Sequence, residues 1–238
     1  MLTLDRFHSA ISQYSFQFGE LLHASQLQST VLSCPGWTMA DLTQHLSGTQ
    51  RWSTAIVRSG MRGDHPVGPS DRAGLEQWFS DGASQLVATL RQTPPEQPAW
   101  NFGPDPRQAS FWSRRAAHEV AVHLWDAMNA QGRVFEIDPE LAADGIDEVC
   151  TVFVYMKLRH GSLPDWTPVL NLVPTDVADG AWQLKAPNRP TDDEPQVTLR
   201  GSAHDLLLAL WGRQGLEGID IEGDPELAQA LLDSGITP

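Results

Sequence analysis

The chain has little cysteine and lacks any long apolar run. Cys34 and Cys150 are the only cysteines among 238 residues. They have neither the number nor the spacing of a disulfide framework or of a Cys-x-x-Cys metal motif. We therefore interpret both as packed thiols without a chemical role. No apolar segment approaches the length of a membrane-spanning helix, so we expect no membrane association.

Positive charge is also scarce. The chain has 16 Lys and Arg against 30 Asp and Glu, for a net charge of −14, and Lys157 and Lys185 are the only lysines. An acidic chain without a basic tract is a poor partner for nucleic acid or for an anionic membrane surface. The first ten residues lack the basic and apolar regions of a secretory signal, so we expect a cytoplasmic protein.

What the chain does have is a composition suited to one large or two small folded domains, with 41% hydrophobic and 19% charged residues. The periodicity of its apolar residues changes near residue 161. Before that point the spacing is helical, over residues 3–26, 38–59, 71–92, 108–130 and 139–160. After it, four short runs predict strands and two predict helices, at residues 169–174, 181–185, 196–200, 203–212, 219–222 and from 224 onwards.

This change predicts an α+β chain with two domains. We expect a helical N-terminal domain over residues 1–162 and a small C-terminal α+β domain over residues 163–238. The join would lie near residues 161–168.

Three side chains have the spacing and the chemistry of a metal site. Glu119 and His123 are four positions apart on a predicted helix, which places them on one face, one turn apart. His45 lies inside the apolar stripe of another predicted helix, where an ionisable side chain needs a buried partner. Two imidazoles and one carboxylate suit a three-ligand metal site with positions left open for chemistry.

Other interpretations of the same residues remain open. Glu-x-x-x-His is a weak motif by itself, and Arg115 precedes Glu119 by four residues, so the two could form a plain intrahelical ion pair. His45 could be an ordinary core histidine. His118 and His123 are five positions apart and point about 140° away from each other on a regular helix, so we expect His118 to pack or to support a ligand rather than to bind the same ion.

Four segments together resemble the mycothiol-dependent maleylpyruvate isomerase family. The first contains Cys-Pro-Gly-Trp-Thr and the second contains Glu119 and His123. The four segments follow the family's order over nearly the whole chain, at residues 34–46, 115–127, 201–213 and 223–227.

The resemblance implies both a fold and a site. The fold would be a DinB-like four-helix bundle, followed by the family's small C-terminal domain. The bundle would hold a divalent metal, usually zinc, through His45, Glu119 and His123. Arg213 stands at the expected position of the family's substrate-binding arginine, which makes it a candidate catalytic residue.

The resemblance also implies a reaction, the cis–trans isomerisation of maleylpyruvate to fumarylpyruvate. A small thiol such as mycothiol would add to the cis double bond, allow rotation, and leave. The metal would lower the pKa of the thiol or polarise the carbonyl group, and Arg213 would bind a carboxylate of the anionic electrophile. Neither cysteine of the chain need be the nucleophile. The alternatives are a thiol S-transferase of electrophiles on the same scaffold and a non-catalytic metal-binding module.

Overall fold

The computed structural model describes residues 2–161, 169–178, 180–185, 194–233 and 235–237. The chain divides into two compact units. The first, here called the helical unit, comprises Met1–Asn101 and Pro106–Glu136. The second, here called the sheet unit, comprises Phe102–Asp105 and Ile137–Pro238. The predicted α+β class is confirmed. Residues 162–168, where the sequence places most of the join, lie outside the described residues, and the boundary after residue 162 stays a prediction.

The helical unit is a bundle of four helices, each 21 residues long. Helices α1 and α2 each pack against both α3 and α4, so the four enclose one core. Their bounds agree with the sequence prediction to within two residues, because the helical periodicity is strong in all four. The helices are α1 (Leu4–Ala24), α2 (Met39–Ser59), α3 (Arg72–Gln92) and α4 (Ser110–Ala130).

A tight turn and a capping box set the start of α2. In the turn, the Cys34 N–H donates to the Val31 carbonyl and the Trp37 N–H donates to the Cys34 carbonyl, each at 3.0 Å. Thr38 then caps the helix, since its hydroxyl accepts from the Asp41 N–H while the Asp41 carboxylate accepts from the Thr38 N–H. The turn and the cap together place Cys34 and Trp37 beside the first turns of α2.

The sheet unit has four strands in the order β2-β1-β3-β4, in which β1 and β3 are parallel and the outer pairs are antiparallel. All four strands were predicted. The strands are β1 (Leu170–Pro174), β2 (Trp182–Leu184), β3 (Val197–Gly201) and β4 (Asp220–Gly223).

Helices cover the sheet. Helix α7 (Ala203–Leu210) packs on β1 and β3, and α8 (Pro225–Leu232) packs on β3. The single helix predicted over residues 139–160 is instead divided into α5 (Pro139–Glu148), a π-helical turn (Val149–Phe153) and α6 (Val154–Arg159). The turn is rich in β-branched residues, which are weak helix formers. Within the described residues, the helices are too short or too polar to cross a membrane.

Candidate metal centre

Helices α2 and α4 bring His45, Glu119 and His123 together. One ligand atom from each side chain lies within 4.8 Å of the other two. The Nε2 atom of His45 is 3.0 Å from Glu119 Oε1, and the Nε2 atom of His123 is 3.3 Å from the same oxygen. Two imidazole nitrogens from different helices therefore converge on one carboxylate oxygen, so the structure brings together the three side chains that the sequence analysis singled out.

The orientation of His123 is set by Asp126. The Nδ1 atom of His123 is 2.9 Å from Asp126 Oδ2, and the Asp126 carboxylate is completely buried. Because a carboxylate only accepts hydrogen bonds, the Nδ1 atom carries the proton. In the neutral ring, Nε2 then presents its lone pair towards Glu119, which is the usual arrangement of a metal-binding histidine.

The ion pair between Arg115 and Glu119, considered above as an alternative to a metal site, forms as part of the same cluster. A guanidinium nitrogen of Arg115 lies 2.5 Å from Glu119 Oε2. The histidines face the other oxygen, Oε1, so the carboxylate serves both partners at once. His118 is buried elsewhere, with its ring edge-on to Phe7 at a centroid distance of 6.0 Å. It packs, as expected.

The electrostatics of the cluster favour a positive charge between these groups. Burial alone would raise the pKa of Glu119, but the Arg115 charge and hydrogen bonds from His123 and His45 hold it well below its usual range. Burial alone would lower the pKa of His123, but hydrogen bonds with Asp126, Cys34 and Glu119 raise it well above its usual range.

This donor set fits a divalent metal. It offers two imidazole nitrogens and one carboxylate oxygen, which is a known ligand set of catalytic zinc sites. His45 is the accessible member, with 37% of its side chain exposed against 12% for Glu119 and 6% for His123. The ring of Trp37 lies 4.9 Å from that of His45. The site is therefore closed on the α4 side and open beside His45.

The loop after α2 contributes a histidine that sequence reasoning missed. The ring of His65 stacks on Trp52 at 5.1 Å. Its Nδ1 atom lies against Gly48, where a Cβ atom would approach it to 3.0 Å. Burial lowers the pKa of His65, the charge of His45 lowers it further, and that of Glu119 opposes this. The rings of His65 and Trp52 also line a cavity of about 410 Å³. Its lining residues are Trp52, Arg62, Gly63, Asp64 and His65.

Sequence reasoning also missed the parts played by Cys34 and Asp126. The Sγ atom of Cys34 lies 3.4 Å from Asp126 Oδ2 and donates to it. A signal for Asp126 was available, since it follows His123 by three positions and shares its helix face. No comparable signal was available for Cys34, because 92 positions separate it from Asp126.

Arg213 belongs to the sheet unit and follows the end of α7. Its guanidinium donates to the Trp211 carbonyl at 3.0 Å and lies 5.6 Å from the centre of the Trp211 ring. The structure thus holds Arg213 at the end of an apolar helix. Its predicted role in binding substrate stays a prediction.

Two family profiles match the chain. Residues 9–128 match the mycothiol maleylpyruvate isomerase N-terminal domain, and residues 140–230 match the MDMPI C-terminal domain. A search of curated proteins finds no match.

Solved structures give the same picture of the fold. The chain is similar to a crystal structure of the mycothiol-dependent maleylpyruvate isomerase, with a TM-score of 0.64 and 17% identity over 93% of each chain. It is also similar to a histidine-to-alanine mutant of that isomerase, with a TM-score of 0.63, 17% identity and the same coverage. At this level of identity the likeness establishes the architecture.

Proposed function

Because the chain belongs to the mycothiol maleylpyruvate isomerase family, we propose that it is a metal- and thiol-dependent isomerase. Its substrates would be a small thiol such as mycothiol and a small anionic electrophile with a cis double bond conjugated to a carbonyl group, such as maleylpyruvate. The observation that carries this proposal is the convergence of His45 and His123 on Glu119 Oε1.

Each residue of the cluster has a distinct task in this proposal. His45 and His123 would bind the metal through Nε2, and Glu119 would bind it through Oε1. Asp126 holds the His123 ring, and Arg115 holds the second Glu119 oxygen. A divalent metal, zinc by our proposal, would supply Lewis acidity and stabilise a thiolate at neutral pH.

The reaction needs a nucleophile that adds to the substrate and is released again in its original form. The thiolate adds to one carbon of the cis double bond, and the π electron pair moves on to the conjugated carbonyl oxygen. The former double bond is then single and rotates. The electron pair returns, the trans double bond forms, and the thiolate is expelled. In our proposal, Arg213 binds a substrate carboxylate through two parallel hydrogen bonds, which keeps the substrate in place during the rotation.

The two cysteines of the chain are poor candidates for this nucleophile. Burial raises the pKa of Cys150 to about 12. Cys34 is buried, and its thiol is engaged with Asp126. A thiol supplied from solution, entering beside His45, is therefore the nucleophile that the site favours.

The test combines metal analysis with two assays. Purified protein is analysed for bound metal and incubated with maleylpyruvate and mycothiol, while isomer conversion and thiol consumption are followed together. We expect one metal per chain and conversion without net loss of thiol. Stoichiometric loss of thiol without isomer conversion would identify a thiol S-transferase. Bound metal without either reaction would identify a binding module, and absence of metal would refute the metal-dependent mechanism.

Variants of Arg213 test substrate binding. Arg213→Lys keeps the charge but loses the planar guanidinium, so we expect slower turnover with unchanged metal content. Arg58→Lys, at the end of α2, is the matched control and should leave turnover unchanged. If Arg213→Ala also keeps wild-type kinetics with an anionic substrate, the role proposed for Arg213 is wrong.

A further inference from the structure

Cys34 contacts the candidate metal centre, although the sequence analysis assigned it no chemical role. Its side chain is at the turn before α2, yet it reaches the carboxylate on α4 that orients His123. Only 8% of Cys34 is exposed, and its backbone is fixed by two hydrogen bonds of the turn. The thiol is thus held at one place by the backbone rather than by side-chain packing alone.

The Oδ2 atom of Asp126 is the meeting point of two contacts. It lies 2.9 Å from His123 Nδ1 and 3.4 Å from Cys34 Sγ. A buried carboxylate oxygen is held in place by the donors around it, and removal of one donor lets it move or draw in water. The Cys34 thiol therefore lies beside both the carboxylate that orients His123 and the His123 ring, whose hydrogen bonds include one with Cys34.

We propose that Cys34 is a positioning residue of the metal centre. Its thiol donates to Asp126 Oδ2 and holds that oxygen against His123 Nδ1, so that His123 Nε2 points to the place where Glu119 Oε1 and His45 Nε2 converge. This inference rests on the metal centre proposed above and extends it from the three ligands to the turn before α2.

A rival arrangement uses the same atoms. Cys34, His123 and Asp126 also have ligand atoms within 4.8 Å of one another, so they could bind an ion directly. All three are buried, whereas the other group includes the accessible His45. An ion among Cys34, His123 and Asp126 would have no open side for a substrate, and it would displace the hydrogen bond that orients His123. The geometry favours the positioning role.

Zinc affinity provides the main test. The affinity of each variant is measured by competition with a chromophoric chelator, and folding of each metal-free variant is checked by circular dichroism. We expect Cys34→Ala to bind zinc about 10-fold more weakly, at the lower end of the effect of residues that support metal ligands. Cys34→Ser should recover most of the affinity because its hydroxyl also donates. Cys150→Ser is the matched control and should bind like the wild type.

Two results would overturn the positioning role. The first is wild-type zinc affinity in a folded Cys34→Ala variant. The second comes from the cobalt-substituted protein. Direct ligation by Cys34 would produce a sulfur-to-cobalt charge-transfer band that disappears in Cys34→Ser, whereas a positioning residue produces no such band.

The metal-free protein gives an independent readout. The proton on His123 Nδ1 is observed by ¹⁵N NMR, and we expect its signal in the wild type and in Cys34→Ser but a shifted or broadened signal in Cys34→Ala. If the wild type binds no zinc but the His123 signal still changes in Cys34→Ala, the proposed metal centre is wrong. The positioning of His123 by Cys34 is then still supported. If the His123 signal is identical in all three proteins, the inference fails.

Discussion

The seam between α1 and α3 and the seam between α2 and α4 belong to one bundle but bury opposite kinds of side chain. The first contains the rings of Phe18 and Phe79, whose centroids are 4.8 Å apart. The second contains His123, which lies 3.3 Å from Glu119 and 2.9 Å from Asp126. An apolar seam is stabilised roughly in proportion to the apolar area that it buries.

The polar seam works in another way, because every buried charge there depends on a neighbour. Arg115 offsets the charge of Glu119, and the two Glu119 oxygens divide the guanidinium and the imidazoles between them. Removal of one member leaves the others uncompensated, so the effects of substitutions in this seam are not additive. The comparison shows that one bundle buries an apolar contact in one seam and a network of mutually dependent charges in another.

The largest effect is expected in the apolar seam. Phe79→Ala removes a ring that is almost completely buried and leaves a cavity, so we expect it to lower the free energy of unfolding by about 3–5 kcal/mol. Chemical denaturation measures this loss, and Phe16→Ala, at a ring that is 69% exposed, is the control. The folded fraction of Phe79→Ala should bind zinc with wild-type affinity. If it binds much more weakly, the two seams are not independent.

The next effect separates two histidines of one helix. His123→Ala should weaken zinc binding at least about 100-fold, because it removes a proposed ligand and the partner of Asp126. His118→Ala should leave zinc affinity within about twofold, because that ring packs on Phe7. Calorimetric titration of both metal-free variants with zinc measures the difference. Equal losses would show that the face of α4 assigned to the metal is wrong.

A smaller effect is expected where α2 begins. Thr38→Ala removes the capping box, so we expect a loss of about 0.5–2 kcal/mol at pH 7. Hydrogen bonds from the Thr38 side chain and backbone lower the pKa of Asp41 from 3.8. The ionised form therefore stabilises the folded state above that value, and this contribution disappears as the pH falls through the lower folded pKa.

The difference in unfolding free energy between wild type and Thr38→Ala should thus shrink as the pH falls from about 5 to about 3 and below. Denaturation at a series of pH values measures it. Thr3→Ala is the control. It removes the side-chain cap of α1, in which the Thr3 hydroxyl accepts from the Arg6 N–H. If the difference in unfolding free energy between wild type and Thr38→Ala stays constant with pH, the ionised Asp41 carboxylate does not stabilise the cap.

The smallest expected effect concerns the sheet unit, where we expect the half-buried Cys150 thiol to be unreactive. With a pKa of about 12, roughly one Cys150 thiol in 10,000 is ionised at pH 8. We therefore expect no measurable alkylation of Cys150 by iodoacetamide in the folded protein, and complete alkylation after denaturation. Mass spectrometry of the digested protein measures both. Rapid alkylation of the native protein would restore Cys150 as a candidate nucleophile.

The sequence by itself determined the local order of the molecule. The helical spacing over four segments and the alternation over four short runs were enough to place the helices and strands, because each pattern depends on neighbours within a few positions. The same local geometry put Glu119 and His123 on one face of α4. The capping box at Thr38 is local in the same way, since both of its hydrogen bonds join residues three positions apart.

Only the tertiary structure decided which faces meet. Periodicity says that a stripe is inward but not which helix it faces, so the contact of His45 with Glu119, 74 positions away, depends on how α2 packs on α4. The contact of Cys34 with Asp126 depends on the same packing and on the turn before α2. Hydrogen bonds across such separations require both elements to be packed in their final places, and their energies depend on that assembly rather than on any one segment.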